Sequence, residues 1–157
     1  LEKVLPYVDY FVPSAEELCF MADRPRYEEW LTRAAGGDVT SVISVEEDIR
    51  PLARKVLRMR ASSLLIKCGA PGMYFTDGKR EIFERSYKPE RVLSGTGAGD
   101  TSIAAFLKAR MEGRSIEESL HLAAATGASC VEAYDALGGL RSFEELERRI
   151  KEGWEKL

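Results

Sequence analysis

The stretch Ser94-Gly95-Thr96-Gly97-Ala98-Gly99-Asp100 joins a glycine-rich turn to a carboxylate, and Ile103, Ala104, Ala105, Phe106 and Leu107 follow at once. The pattern predicts a turn that opens a helix, with Asp100 in the helix's first turn. Gly97 and Gly99 lack a Cβ, so the backbone can take positive φ and come close to a ligand. The N–H groups of a first helical turn have no intrahelical acceptor, and the helix dipole favours an anion beside them. A carboxylate next to a bound phosphate can take the proton of an attacking hydroxyl. An anion cradle and a base are the minimum equipment for phosphoryl transfer to an alcohol. Capping alone also favours Asp at a helix start. Two other glycine-rich phosphate motifs do not fit. A dinucleotide fingerprint needs Gly-x-Gly-x-x-Gly, whereas the spacing here is Gly95-x-Gly97-x-Gly99, and a P-loop needs a lysine where Asp100 stands.

Thr96-Gly97-Ala98-Gly99-Asp100, followed by a helix rich in small residues, resembles the C-terminal motif of the ribokinase-like (PfkB) carbohydrate kinases. The resemblance implies an ATP-dependent phosphotransferase. Gly97, Ala98 and Gly99 would form the anion hole for the transferred γ-phosphoryl group. Asp100 would be the base on a hydroxyl of a sugar or sugar-like acceptor, and Thr96 would join the nucleotide contacts. ATP and Mg2+ are the implied cofactors. The family's loop begins with an Asp that helps build a monovalent-cation site. Ser94 and Gly95 replace its first two positions, so such a site is not expected.

Two further landmarks occur upstream. Asp9-Tyr10-Phe11-Val12-Pro13 reads as a short buried strand, and Ser14-Ala15-Glu16-Glu17 follows it. In the family this strand ends in Pro-Asn-x-x-Glu, whose Glu organises magnesium and phosphate through water. Glu17 matches that Glu, and Ser14 replaces the Asn. Ser14 and Glu17 also make a capping box, which accounts for both residues without a metal. Leu64 to Lys67 reads as a second buried strand, and Cys68-Gly69-Ala70-Pro71-Gly72 as the turn after it. The family carries Thr-x-Gly-x-x-Gly here, against the nucleotide phosphates. Gly69 and Gly72 match, with Lys67 in place of Thr. A lysine there either reaches a phosphate as a point charge or is a solvated strand end. Downstream, Leu120, Ala123, Ala124, Gly127 and Ala128 give one helix a small-residue face. The resemblance implies that Ala124 and Gly127 wall the adenine pocket; close helix packing explains them equally.

These residues need a scaffold. Periodicity predicts helices at about 14–22, 26–35, 46–61, 99–112, 115–134 and 142–157. Strands are expected at about 8–12, 38–43, 63–67, 73–76, 80–84 and 90–93. Asp77-Gly78 is a two-residue hairpin signal between two of them. Ser142 and Glu145 form a second capping box, and Phe143, Leu146, Ile150 and Trp154 fall on one face of the last helix. The expected fold is α/β, a ribokinase-like three-layer α/β/α arrangement with a mainly parallel sheet, and residues 1–157 form one domain by length.

The resemblance covers only the C-terminal half of such a kinase. The half that carries the sugar-gripping Asp and the β-lid is absent from this chain, which begins at Leu1 in what reads as a helix end. The expectation is a fragment that pairs with its missing half or self-associates to cover an exposed sheet edge. Two alternatives remain: a nucleotide-binding or assembly half without turnover, and a dinucleotide-binding module that the glycine spacing weighs against. The acceptor is not legible.

The chain has 157 residues and a net charge of −3, which gives no support for nucleic-acid binding. The basic run Arg54-Lys55-Val56-Leu57-Arg58-Met59-Arg60 has helical spacing and reads as the outer face of an amphipathic helix. No apolar run is long enough to span a membrane. Cys19, Cys68 and Cys130 are odd in number and far apart, so neither a zinc site nor a disulfide frame is indicated. Reduced thiols fit a cytoplasmic protein. His121 lies mid-helix with no nucleophile motif near it. Asn and Gln are absent while Glu, Arg and Lys are plentiful, a composition that fits a thermophilic source.

Overall fold

Three serines start helices in one way. Ser14, Ser115 and Ser142 each accept a hydrogen bond from the N–H three residues on, and the glutamate there reaches back to the serine N–H. These boxes open α1 (Ala15–Ala22), α5 (Ile116–Cys130) and α6 (Phe143–Lys151). The other helices are α2 (Arg24–Ala34), α3 (Arg50–Leu57) and α4 (Ala98–Met111). The strands are β1 (Leu64–Lys67), β2 (Gly72–Thr76) and β3 (Glu81–Arg85). The computed structural model describes residues 1–157, which divide into two units, Leu1–Phe83 and Glu84–Leu157.

In the first unit, one face each of α1, α2 and α3 closes over the sheet. Leu18, Cys19, Trp30, Leu52, Val56, Leu64 and Ile66 are buried in one apolar cluster with Tyr74. Asp48 is a buried carboxylate at its margin. It accepts from Trp30 Nε1 at 3.0 Å and from the Ser44 N–H at 2.8 Å, and it pairs with Arg26. That set satisfies a charge that would otherwise be costly to bury.

The sheet has the order β1-β2-β3, and β1 runs antiparallel to β2 with Leu64 opposite Thr76 and Lys67 opposite Met73. The mainly parallel sheet expected from the sequence is therefore corrected. A loop of only four residues joins β1 to β2, and a parallel crossover needs a dozen or more. Parallel pairing is confined to two isolated bridges, Phe11 with Leu64 and Ser14 with Lys67. The segment expected as a strand at 8–12 is thus extended chain beside β1, held by Phe11 N–H to Ser63 O, Leu65 N–H to Phe11 O and Lys67 N–H to Pro13 O.

Other boundaries also move. Residues 38–43 hold a 3-10 turn, Val39–Val42, because the Asp38 side chain caps the Thr40 N–H at 2.8 Å. The helix expected at 46–61 begins as a π-helical turn, Val45–Ile49, before α3. The hairpin loop runs over four residues rather than two. Asp77 Oδ1 accepts from the N–H groups of Lys79 and Arg80, a side-chain turn that lengthens it.

In the second unit, α4 packs along α5, and α6 packs on α5. Residues 90–93 form no strand; Leu93 N–H instead bonds Val131 O at 2.8 Å. Helix α5 stops at Cys130, short of 134, and α6 at Lys151, short of 157. Past Gly153, Lys88 N–H bonds Glu155 O, Leu157 N–H bonds Ser86 O, and Trp154 Nε1 donates to Lys88 O at 2.6 Å. Trp154 thus anchors a short β pairing, not a helix face. No helix is long and apolar enough to cross a membrane.

Candidate functional site

The glycine turn lies in the second unit. Gly97 is the N-cap of α4 and takes φ 83°, a left-handed conformation that places Ala98, Gly99 and Asp100 in the first helical turn. A Cβ on Gly97 would lie 2.5 Å from the Ala136 Cβ, so contact and conformation both require glycine. No side chain caps this helix. Ala98 N–H bonds Gly95 O, Thr96 N–H bonds Ser94 Oγ, and Thr101 N–H bonds Gly97 O. The N–H groups of Gly97, Gly99 and Asp100 have no partner within the chain. The Asp100 carboxylate is exposed and makes no hydrogen bond or ion pair. Three unpaired donors and a free carboxylate in one helical turn are equipped to hold an anion and accept a proton beside it.

Helix α5 supports this turn from below. Ser102 Oγ donates to Ala98 O at 2.7 Å, and a Cβ on Gly127 would fall 2.4 Å from that same Oγ. Gly127 thus lets α5 close onto the first turn of α4. Ala124 is 3 % exposed, buried with Ala123 and Ala125 in the same helix.

The first unit brings a second group of expected residues together. Glu17 Oε2 accepts the Ser14 N–H at 2.7 Å, and Glu17 N–H donates to Ser14 Oγ at 3.1 Å. The Ser14 N–H holds the Glu17 carboxyl below the ordinary glutamate value against partial burial, and nearby Lys67 adds to the effect. Ser14 bridges to Lys67. Gly69 and Gly72 close the turn after β1, through Gly72 N–H to Gly69 O at 3.1 Å and Cys68 N–H to Gly72 O at 2.8 Å. The Gly69 N–H has no partner in the chain. No group of three or more His, Cys, Asp or Glu side chains is placed to hold a metal directly. One Glu17 oxygen remains without a protein donor, which suits a magnesium ion held by phosphates and water rather than by a protein cage.

Sequence reasoning did not single out the loop after α5. Ala136 abuts Gly97, and a Cβ on Gly139 would meet Ser129 O at 2.3 Å. The Gly138-Gly139 pair was the available signal, readable only as a break. Nor did sequence reasoning predict that the buried Glu84 takes His121 Nδ1 at 2.8 Å together with Lys156.

The pattern of the pfkB family carbohydrate kinases matches residues 1–141. An uncharacterized sugar kinase of Archaeoglobus fulgidus is 35 % identical over 142 residues, covering 89 % of this chain and 46 % of that protein. Ribokinase of Arabidopsis thaliana is 32 % identical over 106 residues, covering 67 % of this chain and 28 % of its own length. The structure of Arabidopsis thaliana ribokinase complexed with ribose and ATP matches with a TM-score of 0.77 at 25 % identity, over 96 % of this chain and 43 % of that one. The chain therefore spans less than half the length of these relatives.

Proposed function

Because the chain belongs to the pfkB family of carbohydrate kinases, we propose that it carries the nucleotide-binding and catalytic half of an ATP-dependent sugar kinase. The observation that carries this reading is the first turn of α4, with three N–H groups unpaired and the Asp100 carboxylate free. Asp100 takes the proton of an acceptor hydroxyl. The hydroxyl oxygen then forms a bond to the γ-phosphorus as the bond to the β-phosphate oxygen breaks, and ADP leaves. The unpaired N–H groups of Gly97, Gly99 and Asp100 stabilise the charge on the transferred group, and Ala98 carries the backbone between them. They are preorganised by the left-handed Gly97 and need no rearrangement when that charge develops. Thr96, Lys67, Gly69 and Gly72 contact the nucleotide phosphates. Ala124 and Gly127 back the adenine.

Magnesium would neutralise phosphate charge, with Glu17 holding it through water. Residues 1–157 act as one catalytic half within a layered α/β/α kinase, and use of ATP with three buried free thiols fits a cytoplasmic setting.

A second reading rests on length. A chain that spans under half of its relatives binds the nucleotide without turnover when the acceptor site lies elsewhere. Incubation with ATP, Mg2+ and a panel of ribose, fructose, keto-deoxy sugar acids, sugar phosphates and nucleosides separates the two. A phosphorylated acceptor supports the kinase reading. ATP binding with no product supports the second reading, and absence of both removes them together.

A further inference from the structure

The end of α5 and the loop after it touch the glycine turn through a thiol and a methyl group. Cys130 is fully buried, and its Sγ lies 3.8 Å from Thr96 O and 3.4 Å from Ala136 O. One thiol proton thus has a carbonyl of the glycine turn and a carbonyl of the loop within reach. Ala136 is the residue whose methyl group limits the space over Gly97. The loop carrying Ala136 is itself held at three places. Asp135 Oδ1 accepts from the Leu137 and Gly138 N–H groups at 2.9 and 2.7 Å. Ser129 Oγ donates to Gly139 O at 2.6 Å, and Gly139 sits against the Ser129 and Cys130 backbone so closely that a Cβ there would meet it within 2.7 Å. Just before the turn, Leu93 N–H is tied to Val131 O.

Resting on the anion-hole reading above, we propose that Cys130 and Ala136 are positioning residues for that hole. Neither side chain has a polar group free for a ligand. Cys130 fixes the distance between the Thr96 and Ala136 carbonyls, and Ala136 then confines Gly97 to the left-handed conformation. With Gly97 so held, the N–H groups of Gly97, Gly99 and Asp100 stay out of intrachain hydrogen bonds and available to an anion. The buttress belongs to the free protein, so its effect is preorganisation rather than a response to ligand.

The test is a titration of the whole protein with inorganic phosphate, followed at the amide resonances of Gly97, Gly99 and Asp100. The variants are Cys130→Ala, Cys130→Ser and Ala136→Gly. Loss of one hydrogen bond of ordinary strength corresponds to about five-fold in affinity. Cys130→Ala is expected to weaken phosphate binding by about that factor, and Ala136→Gly to weaken it measurably, both while remaining folded. Cys130→Ser keeps a donor and is expected to recover most of the loss. A purely structural role would lower the melting temperature and leave the affinity of the folded protein unchanged. Should Cys130→Ala fail to fold, Ala136→Gly carries the comparison alone. Phosphate affinities equal to wild type in the folded variants overturn the proposal. A wild-type protein whose three amides do not respond to phosphate has no hole to position, which overturns the anion-hole reading and this one with it.

Discussion

Glu17 caps α1, and one substitution can separate that role from the magnesium role proposed for it. Its backbone and side chain close the capping box with Ser14, and its second carboxylate oxygen has no protein partner. Gln also closes such a box, so Glu17→Gln keeps α1 intact and removes the charge. The expected outcome is a slightly lower melting temperature, from loss of the charged cap, together with a magnesium requirement raised about ten-fold, as for other groups that support a metal through water. Unchanged magnesium dependence leaves Glu17 a cap alone. Glycine positions separate in the same way. Gly97→Ala puts an L-residue in the left-handed region, at about 1–2 kcal/mol, and drives its methyl into Ala136. Gly139→Ala meets backbone atoms that cannot rotate away, whereas Gly127→Ala meets Ser102 Oγ, a side-chain end that can. Urea denaturation should therefore rank Gly139→Ala and Gly97→Ala as more destabilising than Gly127→Ala; the reverse order contradicts the packing described. Of these features, Gly97 to Asp100 was legible because the turn is contiguous. Ala136 was not, because nothing in a lone alanine at that distance along the chain marks it as Gly97's neighbour.

The helix starts couple stability to acid. Glu17, Glu118 and Glu145 are each held below the ordinary glutamate value, 4.5, first by the N–H of their capping serine. A carboxylate whose folded value is depressed contributes stability that is complete above its unfolded value and is lost as pH falls through the folded value. Stability followed by circular dichroism should thus decline below about pH 4.5. Glu17→Ala should cost about 1 kcal/mol at pH 7 and less at low pH, because the bond it removes, from the Ser14 N–H to the Glu17 carboxylate, is already failing there. An equal cost at both pH values contradicts the linkage. Ser14-x-x-Glu17 and Ser142-x-x-Glu145 were readable because a capping box is a local pattern. The segment at 38–43 was misread because Val39, Val42 and Ile43 have strand-forming side chains while Asp38 imposes a turn on the backbone. The end of α6 was misread because the apolar period runs on to Trp154, although Gly153 and the pairing of residues 86–88 with 155–157 turn the chain away.

At the scale of the molecule, the α/β class was readable from alternating patterns, and sheet direction was not. Direction depends on which segments meet, and the four-residue loop at 68–71 supplies β1 with an antiparallel neighbour, β2, that sequence order alone does not rank above the parallel segment at 9–13. The chain shares its family with sugar kinases of about twice its length, so the chemistry of α4's first turn can be judged apart from the acceptor. The most direct test of the central claim measures phosphoryl transfer from ATP to the sugar panel by the wild type and by Asp100→Asn, with ATP binding followed in parallel. General-base catalysis contributes about a hundred- to ten-thousand-fold. The account predicts that Asp100→Asn loses turnover on that scale while binding ATP as the wild type does. Turnover within a few-fold of wild type in Asp100→Asn would contradict it.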